Sequence, residues 1–568
     1  MVDGLFFQIL KALWAMHPQR FWLIWITITA AAVIYVMSVV GQVATSRSQK
    51  PILTRRQVGT PSAVVALMLL AMFLTSYIAM TLVWEDFVHY DNDLLILSVL
   101  KGSNIPPPIW RDNGRFFPLG MQEFNLIRHF TNTPIGYHLL PIVQVLIFFC
   151  MLLVLDDELS ITARAGLAML VLLTPTLFLS FDGLIWEERN VLFFLTCLML
   201  SVKQFERTKA VLWAVAAVVC AQIMLYYKEI GFLLLLCFAA VRLISRCRNG
   251  QHGRWDYKRL WDRESRLDLC LASLAVLFLL SYFAVMGIHG NTTYAHAHRH
   301  PMAELVLHYV WLDLLVWLFI CFVVRRTYLV LRDRTAPWML WDALAFGGVA
   351  WFFAYLYLGM YSAYYLAPVD LIAVLYVGRF VLLSWKNTRS WSKVAALTLA
   401  FAVVLQDVSM STFAAFERKN VIHARVEIAS LIAARYRNGI VPNLFFPFAG
   451  PYSIMEFVVY LNYRGVPINS VAFARGATVK DARCMEYRSI RCHPASQPAP
   501  GDLVIVLPDD EASPAEASVY RERGSQLFYY EPRPPIPHRL YRLGASFPGD
   551  YNITRSDRWM DASVTVWK

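Results

Sequence analysis

The chain has 568 residues, 58% of them hydrophobic and only 16% charged, with 36 Phe, 27 Tyr and 18 Trp. Soluble domains carry roughly a quarter charged residues and about half apolar ones, so this composition excludes an ordinary soluble protein. The net charge of +12 sits in short stretches between apolar runs, where it is a signal of topology rather than the footprint of a nucleic-acid binder.

Residues 1–19 place apolar side chains at helical spacing and read as a helix lying along a membrane surface. No A-x-A-like cleavage site follows a short apolar core there. Beyond them come runs of the kind that cross a bilayer, which takes about 20 apolar residues. They cover roughly 21–41, 61–83, 138–155, 162–180, 190–202, 210–226, 230–244, 267–287, 305–324, 338–359, 366–384 and 393–409, about twelve crossings.

Every second connection is basic: Arg47 to Arg56, Lys203 to Lys209, Arg246 to Arg266, Arg325 to Arg334, and Lys386 to Lys393. The positive-inside rule makes these cytoplasmic. The acidic loop 156–161 is the exception, with Arg164 as its nearby base. The N-terminus, the connections 84–137, 181–190, 226–230, 288–304 and 360–368, and everything after about 410 then fall outside.

The tail has a different texture. ERKNVIHARVEIASLIAARYRNG reads as an amphipathic helix stopped by Gly439. NLFFPF, VAFA, DLVIVL and QLFYY read as short strands, with a helix over PYSIMEFVVYLNYRG between the first two. The stretch containing EPRPPIPHRL and SFPGDY reads as irregular. The expected fold class is an α-helical multi-pass membrane protein with a C-terminal soluble α/β domain, divided as 1–409 and 410–568. Seven of the nine cysteines lie in or beside apolar spans, where Cys behaves as a small hydrophobe. Cys484 and Cys492 lie in the outer tail, where an oxidising compartment permits a disulfide.

The outer connections hold the candidate chemistry. WEDFVHYDND (84–93) follows an apolar run directly, and FDGLIWEERN (181–190) follows another. The loop 84–137 is the longest and holds Glu85, Asp86, Asp91, Asp93, Asp112 and Glu123. A single acid at a helix end simply faces water; four within nine residues is a stronger pattern. A carboxylate there can accept a proton from a hydroxyl nucleophile or hold a divalent cation. NDLLILSVLKG and LGMQEFNLIRHF look like interfacial helices that press this loop onto the membrane surface. Arg111, Arg115, Arg189 and Lys228 face the same side. Lys228 and Glu229 read either as a self-satisfied salt bridge or as a cation for a lipid phosphate. His289, His296, His298 and His300 form an alternating cluster, read more readily as a polar loop than as a metal site. Asn291 and Asn552 begin sequons. No phosphate-loop or dinucleotide glycine pattern is present, so an energy-rich donor comes from the outer side or from within the lipid.

With those residues in hand, the chain resembles the GT-C class of membrane glycosyltransferases, which includes protein O-mannosyltransferases, lipid A aminoarabinose transferases and bacterial glucosyl- and arabinosyltransferases. YDND…DNGRFFPLG resembles the acidic and Gly-Arg pattern of some bacterial members, WEERN resembles an acidic-Arg signature, and YYKEIGF a lysine-glutamate loop. In place of the class's acidic pair, this chain has Glu85-Asp86 and Asp91-Asn92-Asp93. The resemblance implies a polyprenyl-phosphate sugar donor and an envelope glycan, lipid or protein acceptor on the extracytoplasmic side of the inner membrane. Asp91 or Asp93, with Asp86 as rival, would be the base. Arg189, Lys228 or Arg115 would bind the donor phosphate, and Glu187, Glu188 and Glu229 would support them. It implies no cofactor for certain; Mg or Mn on the acids stays open. A secondary transporter is one rival, though the spans read as clean and transporters place ionisable groups near the midplane. A polysaccharide polymerase or ligase is another, although its large outer loop usually comes late. A non-catalytic assembly protein is a third.

Overall fold

The computed structural model describes residues 61–82, 86–88, 92–110, 114–248, 256–287, 313–332, 339–360, 362–385, 389–474, 491–508, 514–531 and 561–568, with single positions between 26 and 34 and between 301 and 309. The N-terminal interfacial helix, the basic stretch 47–56, the His cluster, both sequons, Glu85, Asp91, Arg111, Asp112 and Cys484 lie outside these residues.

Among the described residues the membrane part is helical apart from one short hairpin. Helix α1 (Pro61–Leu82) leads to the long loop, which carries α2 (Asp93–Lys101), a hairpin of β1 (Ile109–Trp110) and β2 (Arg115–Phe116), and α3 (Gln122–Ile127). There follow α4 (Pro134–Leu155), α5 (Ile161–Leu173), α6 (Pro175–Asp182), α7 (Glu188–Thr208), α8 (Val211–Tyr227), α9 (Gly231–Cys247), α10 (Arg263–Met286), α11 (Leu314–Arg332), α12 (Met339–Leu358) and α13 (Ala367–Ser384). Last comes α14 (Ser390–Arg437), 48 residues long. Among the described residues seven helices are long and apolar enough to cross a membrane, eight if α5 and α6 form one span. Of the expected twelve, the span 21–41 lies almost wholly outside the described residues. The expected spans 190–202, 210–226 and 230–244 correspond to α7, which carries five charged residues in 21, and to α8 and α9, which have only 17 residues each.

The expected span 162–180 is broken, with α5 and α6 bent by 71°. Pro175 is the cause. It cannot donate to the preceding turn and pushes the residue before it out of the helical region, and Thr174 is extended at φ −68°, ψ 134°. The expected span 305–324 is displaced, because α11 begins only after Asp313. Helix α7 lies at the centre. Its Leu192, Leu195, Met199, Val202 and Phe205 are fully buried, as are Ala214, Ala217, Val218 and Ala221 of α8. Small residues let neighbouring helices approach. A Cβ on Gly347 of α12 would come within 2.9 Å of the Leu234 carbonyl oxygen on α9.

The spans are not as clean as expected. Asp370 in α13 and Asp407 in α14 are buried, and Thr176 Oγ1 donates to Asp370 at 2.5 Å. Asp370 also hydrogen-bonds Asp313.

The acidic exception at 156–161 has a structural explanation. Asp156 and Glu158 pair with Arg379, and Asp157 with Lys203 and Arg207. These acids therefore neutralise bases from neighbouring connections at the same end of the bundle. Arg242, Arg246, Glu206 and Asp268 form a further ion-pair network between α7, α9 and α10.

The boundary expected at 409/410 falls inside α14, which runs unbroken from the bundle into the tail. It stops at Gly439, whose φ of +87° suits only glycine among common residues. A six-stranded sheet follows, built from β3 (Asn443–Phe446), β4 (Ser470–Phe473), β5 (Arg491–Pro494), β6 (Leu503–Val506), β7 (Gly524–Tyr530) and β8 (Ala562–Trp567), in the order β5-β4-β3-β6-β8-β7. The first four are parallel, with Leu444 opposite both Val471 and Leu503; β8 runs antiparallel to β6 and β7. Helices α15 (Pro451–Tyr463) and α16 (Pro514–Arg523) accompany the sheet. The four strands and the helix expected are present, whereas β5, α16 and β8 were not anticipated. Cys492 is disulfide-bonded, and its expected partner Cys484 lies outside the described residues.

Candidate functional site

Helix α7 fixes which connections share an end. Its first turn carries Glu188 and Arg189, and its last turn Arg207. The network just described is at the Arg207 end. At the Glu188 end, the loop before α7, the α8–α9 turn and the long first loop meet.

The α8–α9 turn is only Lys228, Glu229 and Ile230, which gives the two charged side chains divergent directions. They do not satisfy each other. Glu229 takes Arg115 Nε at 2.9 Å and the Phe116 backbone N–H at 2.9 Å, pinning β2 of the first loop to the turn. Lys228 Nζ lies 2.5 Å from Glu188 and 3.8 Å from Glu187, and 4.8 Å from the Tyr365 ring centroid.

Burial pushes the Glu187 carboxyl up to about 7; Lys228 pulls it down, and Glu188 pushes it up again. Two carboxyls sharing one ammonium separate in acidity for this reason. Burial acts to lower Lys228, but Glu188, Glu187 and Glu229 together outweigh it and hold the ammonium above its usual range. For Glu229 burial is outweighed by Arg115 and Lys228, and the carboxyl is held below its usual range.

Arg189 is fully buried. It donates from Nη2 to Glu123 at 2.8 Å and from Nη1 to the Leu184 carbonyl at 3.0 Å. Glu123, on α3, also accepts from Asn190 Nδ2 at 2.7 Å and Tyr227 OH at 3.2 Å. One carboxylate thus staples the first loop to α7 and α8. Glu123 was only one of six loop acids in the sequence, with nothing to pair it with an arginine 66 positions later.

The two described acids of the 84–93 cluster point elsewhere. Asp86 accepts from Tyr460 OH at 2.6 Å and from the Phe87 backbone N–H at 2.7 Å, with Arg464 at 3.7 Å. Burial raises its carboxyl, and Tyr460 restrains the rise. Asp93 accepts from Tyr452 OH at 3.2 Å. Both tyrosines are on α15, so these acids bind the C-terminal domain. Helix α2 packs beneath α15 with Leu95 and Ile96 buried, where the sequence predicted a membrane-surface segment. Arg425 of α14 joins the same interface, donating to Ser453 at 2.6 Å and to the Val88 carbonyl at 3.1 Å. The structure therefore brings Arg115, Lys228, Arg189, Glu187, Glu188 and Glu229 together. Asp86 is outside that group, separated from Arg189 by the ring contacts Phe87–Tyr137, Tyr137–Phe124 and Phe124–Arg189.

A further group was missed. Asp182, at the end of α6, faces Arg418 at 2.5 Å and Lys419 at 3.6 Å, both on α14. Arg418 lies over Trp186, which stacks on Tyr364 at 4.5 Å, and Tyr365 stacks on Tyr355 at 4.6 Å. The pattern RK inside an amphipathic stretch gave no sign of a partner 236 residues earlier. Among the described residues no three His, Cys, Asp or Glu side chains converge to hold a metal ion.

No family model matches the chain, and no curated protein matches it. Among solved structures it is similar to the crystal structure of ArnT from Cupriavidus metallidurans bound to undecaprenyl phosphate, at 12% identity and a TM-score of 0.46, over 89% of this chain and 98% of that one.

Proposed function

We propose that the protein is an inverting glycosyltransferase that moves a hexosyl or pentosyl group from a polyprenyl-phosphate donor to a cell-envelope acceptor. The reaction takes place at the extracytoplasmic face of the inner membrane, with the sheet domain on that side, as the basic connections at the opposite end indicate. One observation carries the reading. At a single end of an apolar helical bundle, cations from two separate connections, Arg115 and Lys228, act on a carboxyl, Glu187, that burial pushes up to about 7.

Inverting transfer needs a base on the acceptor side and a stabiliser for the departing phosphate. Glu187 is poised for the first task, because its acidity matches the working pH and Glu188 already serves as counter-ion to Lys228. Arg115 and Lys228 serve the second; Arg115 is the more accessible, its side chain 15% exposed. Arg189, whose two Nη groups are taken by Glu123 and backbone carbonyls, holds the loop in place. Asp91 remains the competing base, with Asp93 and Asp86 as tethers of the C-terminal domain, which would orient the acceptor.

Glu187→Gln and Asp91→Asn separate the two assignments. Purified protein given a radiolabelled polyprenyl-phosphate sugar should lose transfer in the first variant, roughly 10²- to 10⁴-fold, and keep it in the second. The opposite result moves the base to Asp91. A secondary transporter is the second reading, favoured by the buried Asp370 and Asp407 within spans. A transporter would release no lipid phosphate in that assay.

A further inference from the structure

We infer that Cys197 of α7 and Met151 of α4 hold a soft monovalent metal ion, Cu(I), between their sulfurs, with the Cys220 thiol of α8 hydrogen-bonded to the metal-bound Cys197. The site lies within the helical bundle, apart from the charged group at the Glu188 end. The inference stands whether or not the chain transfers a sugar.

The first observation is a meeting of three sulfurs from three helices. Cys197 Sγ donates to Met151 Sδ at 3.4 Å, and Cys197 and Cys220 share a side-chain hydrogen bond. Helix α7 packs against both α4 and α8. The tight turn at Lys209 and Ala210 joins α7 to α8, and the two cysteines stand at nearly equal chain distance on either side of it. A cysteine in an apolar span usually serves as a small hydrophobe. A thiol that aims its hydrogen at a thioether, beside a second thiol, is a set of soft donors as well.

The second observation is what such a set selects. Thiolate and thioether sulfurs favour Cu(I) over the harder divalent ions. Zn(II) asks for four donors, and among the described residues no three His, Cys, Asp or Glu side chains converge. Charge sets the protonation state. Cu(I) takes the place of the proton that Cys197 aims at Met151, so a thiol and a metal cation become one uncharged Cys–Cu unit and one released proton. A second thiolate would leave a net charge in apolar surroundings, which is costly. Cys220 therefore keeps its hydrogen and donates it to the Cys197 sulfur. With metal–sulfur bonds of about 2.3 Å, an S–metal–S angle of about 120° needs the two sulfurs about 0.6 Å further apart. The unbranched, flexible methionine chain supplies that movement. Both cysteines are partly exposed, which gives the ion a way in.

The test uses the full chain in nanodiscs, loaded anaerobically with Cu(I) kept reduced by ascorbate. Bathocuproine disulfonate then competes for the metal. Every protein compared carries Cys150→Ser and Cys321→Ser, which removes the two exposed thiols. Elemental mass spectrometry should find about one retained copper per chain, nearly all of it lost in Cys197→Ser and much of it in Met151→Leu. Cys220→Ser keeps a donor and should bind as the parent does, whereas Cys220→Ala should bind about 10- to 100-fold more weakly. X-ray absorption of the copper-loaded parent, which needs no variant at the site, should show a first shell of sulfur alone. Copper retained equally by the parent and Cys197→Ser, or by the parent not at all, would overturn the inference. So would nitrogen or oxygen in the first shell, or a Cys220→Ser protein as deficient as Cys197→Ser.

Discussion

Replacing Glu123 by Ala probes the staple most sharply. Arg189 has no exposed surface, and the Glu123 side chain is only 16% exposed. Removing one partner of a buried ion pair leaves the other charge uncompensated, a loss of about 3–5 kcal/mol. The change also strips an acceptor from Asn190 and Tyr227. Glu123→Gln keeps an acceptor but loses the charge, and should lose about 1.5–3 kcal/mol, the worth of hydrogen bonds to charged groups. Glu158→Ala is the control. It too removes a carboxylate bonded to an arginine, but its side chain is 64% exposed, and exposed pairs are worth about 0–1 kcal/mol. Apparent melting temperatures of the three purified variants in one detergent should fall in the order Glu123→Ala, Glu123→Gln, Glu158→Ala, the last close to the parent. A Glu123→Ala protein that melts no lower than Glu158→Ala would refute the claim that this carboxylate holds the loops together.

Other predictions concern the carboxyls and their partners. With Glu187 at about 7, transfer should rise with pH as that carboxyl ionises, and Glu187→Gln should flatten the limb; a pH–rate profile of both proteins checks it. Since burial raises this carboxyl, its protonated form is the one the fold favours. Its contribution to stability is complete below the ordinary glutamate range and declines as pH climbs through about 7, which thermal unfolding at pH 5 and pH 8 would show as a smaller difference in Glu187→Gln. Arg115→Ala should raise the KM for the lipid-linked donor far more than it lowers kcat, if Arg115 binds the phosphate already in the ground state. Tyr460→Phe removes the hydroxyl from Asp86, and hydrogen exchange over 451–464 should accelerate there while the spans stay protected.

The apolar runs made the membrane part legible because each span answers to one physical demand, the thickness of the bilayer. The same demand hid the details. Thr174 and Pro175 sit inside a run whose hydropathy never falters, so the bend between α5 and α6 is visible only as a proline that could equally have been tolerated. Helix α14 passes from the bundle into the tail without a breaker, and a change of composition near 410 therefore looked like a boundary. In the sheet domain the short, continuously apolar runs of β3, β4 and β6 were readable, and these strands are buried along most of their length. RCHP, with a charge, a His and a Pro, carries no strand signal of its own and takes its state from pairing with β4, while ASVTVW was overlooked beside the irregular stretch before it. At the site, the sequence singled out the connections that meet at this end of the bundle but not the partners within them. Lys228 and Glu229 are adjacent and read either as a self-satisfied pair or as a phosphate-binding cation; the tight turn sends one to Glu188 and the other to Arg115. The dense acids of WEDFVHYDND looked catalytic, and the two described ones meet tyrosines some 360 to 370 residues away.

The proposal that this bundle transfers a sugar from a lipid carrier is tested most directly by following the carrier. Purified protein in nanodiscs, supplied with polyprenyl-phosphate sugar labelled in the sugar and with an envelope glycolipid extract, should yield free polyprenyl phosphate and a labelled product of inverted anomeric configuration, both lost in Glu187→Gln together with Asp91→Asn. Intact donor after prolonged incubation with the same extract, or label moved across the membrane without cleavage, would contradict it.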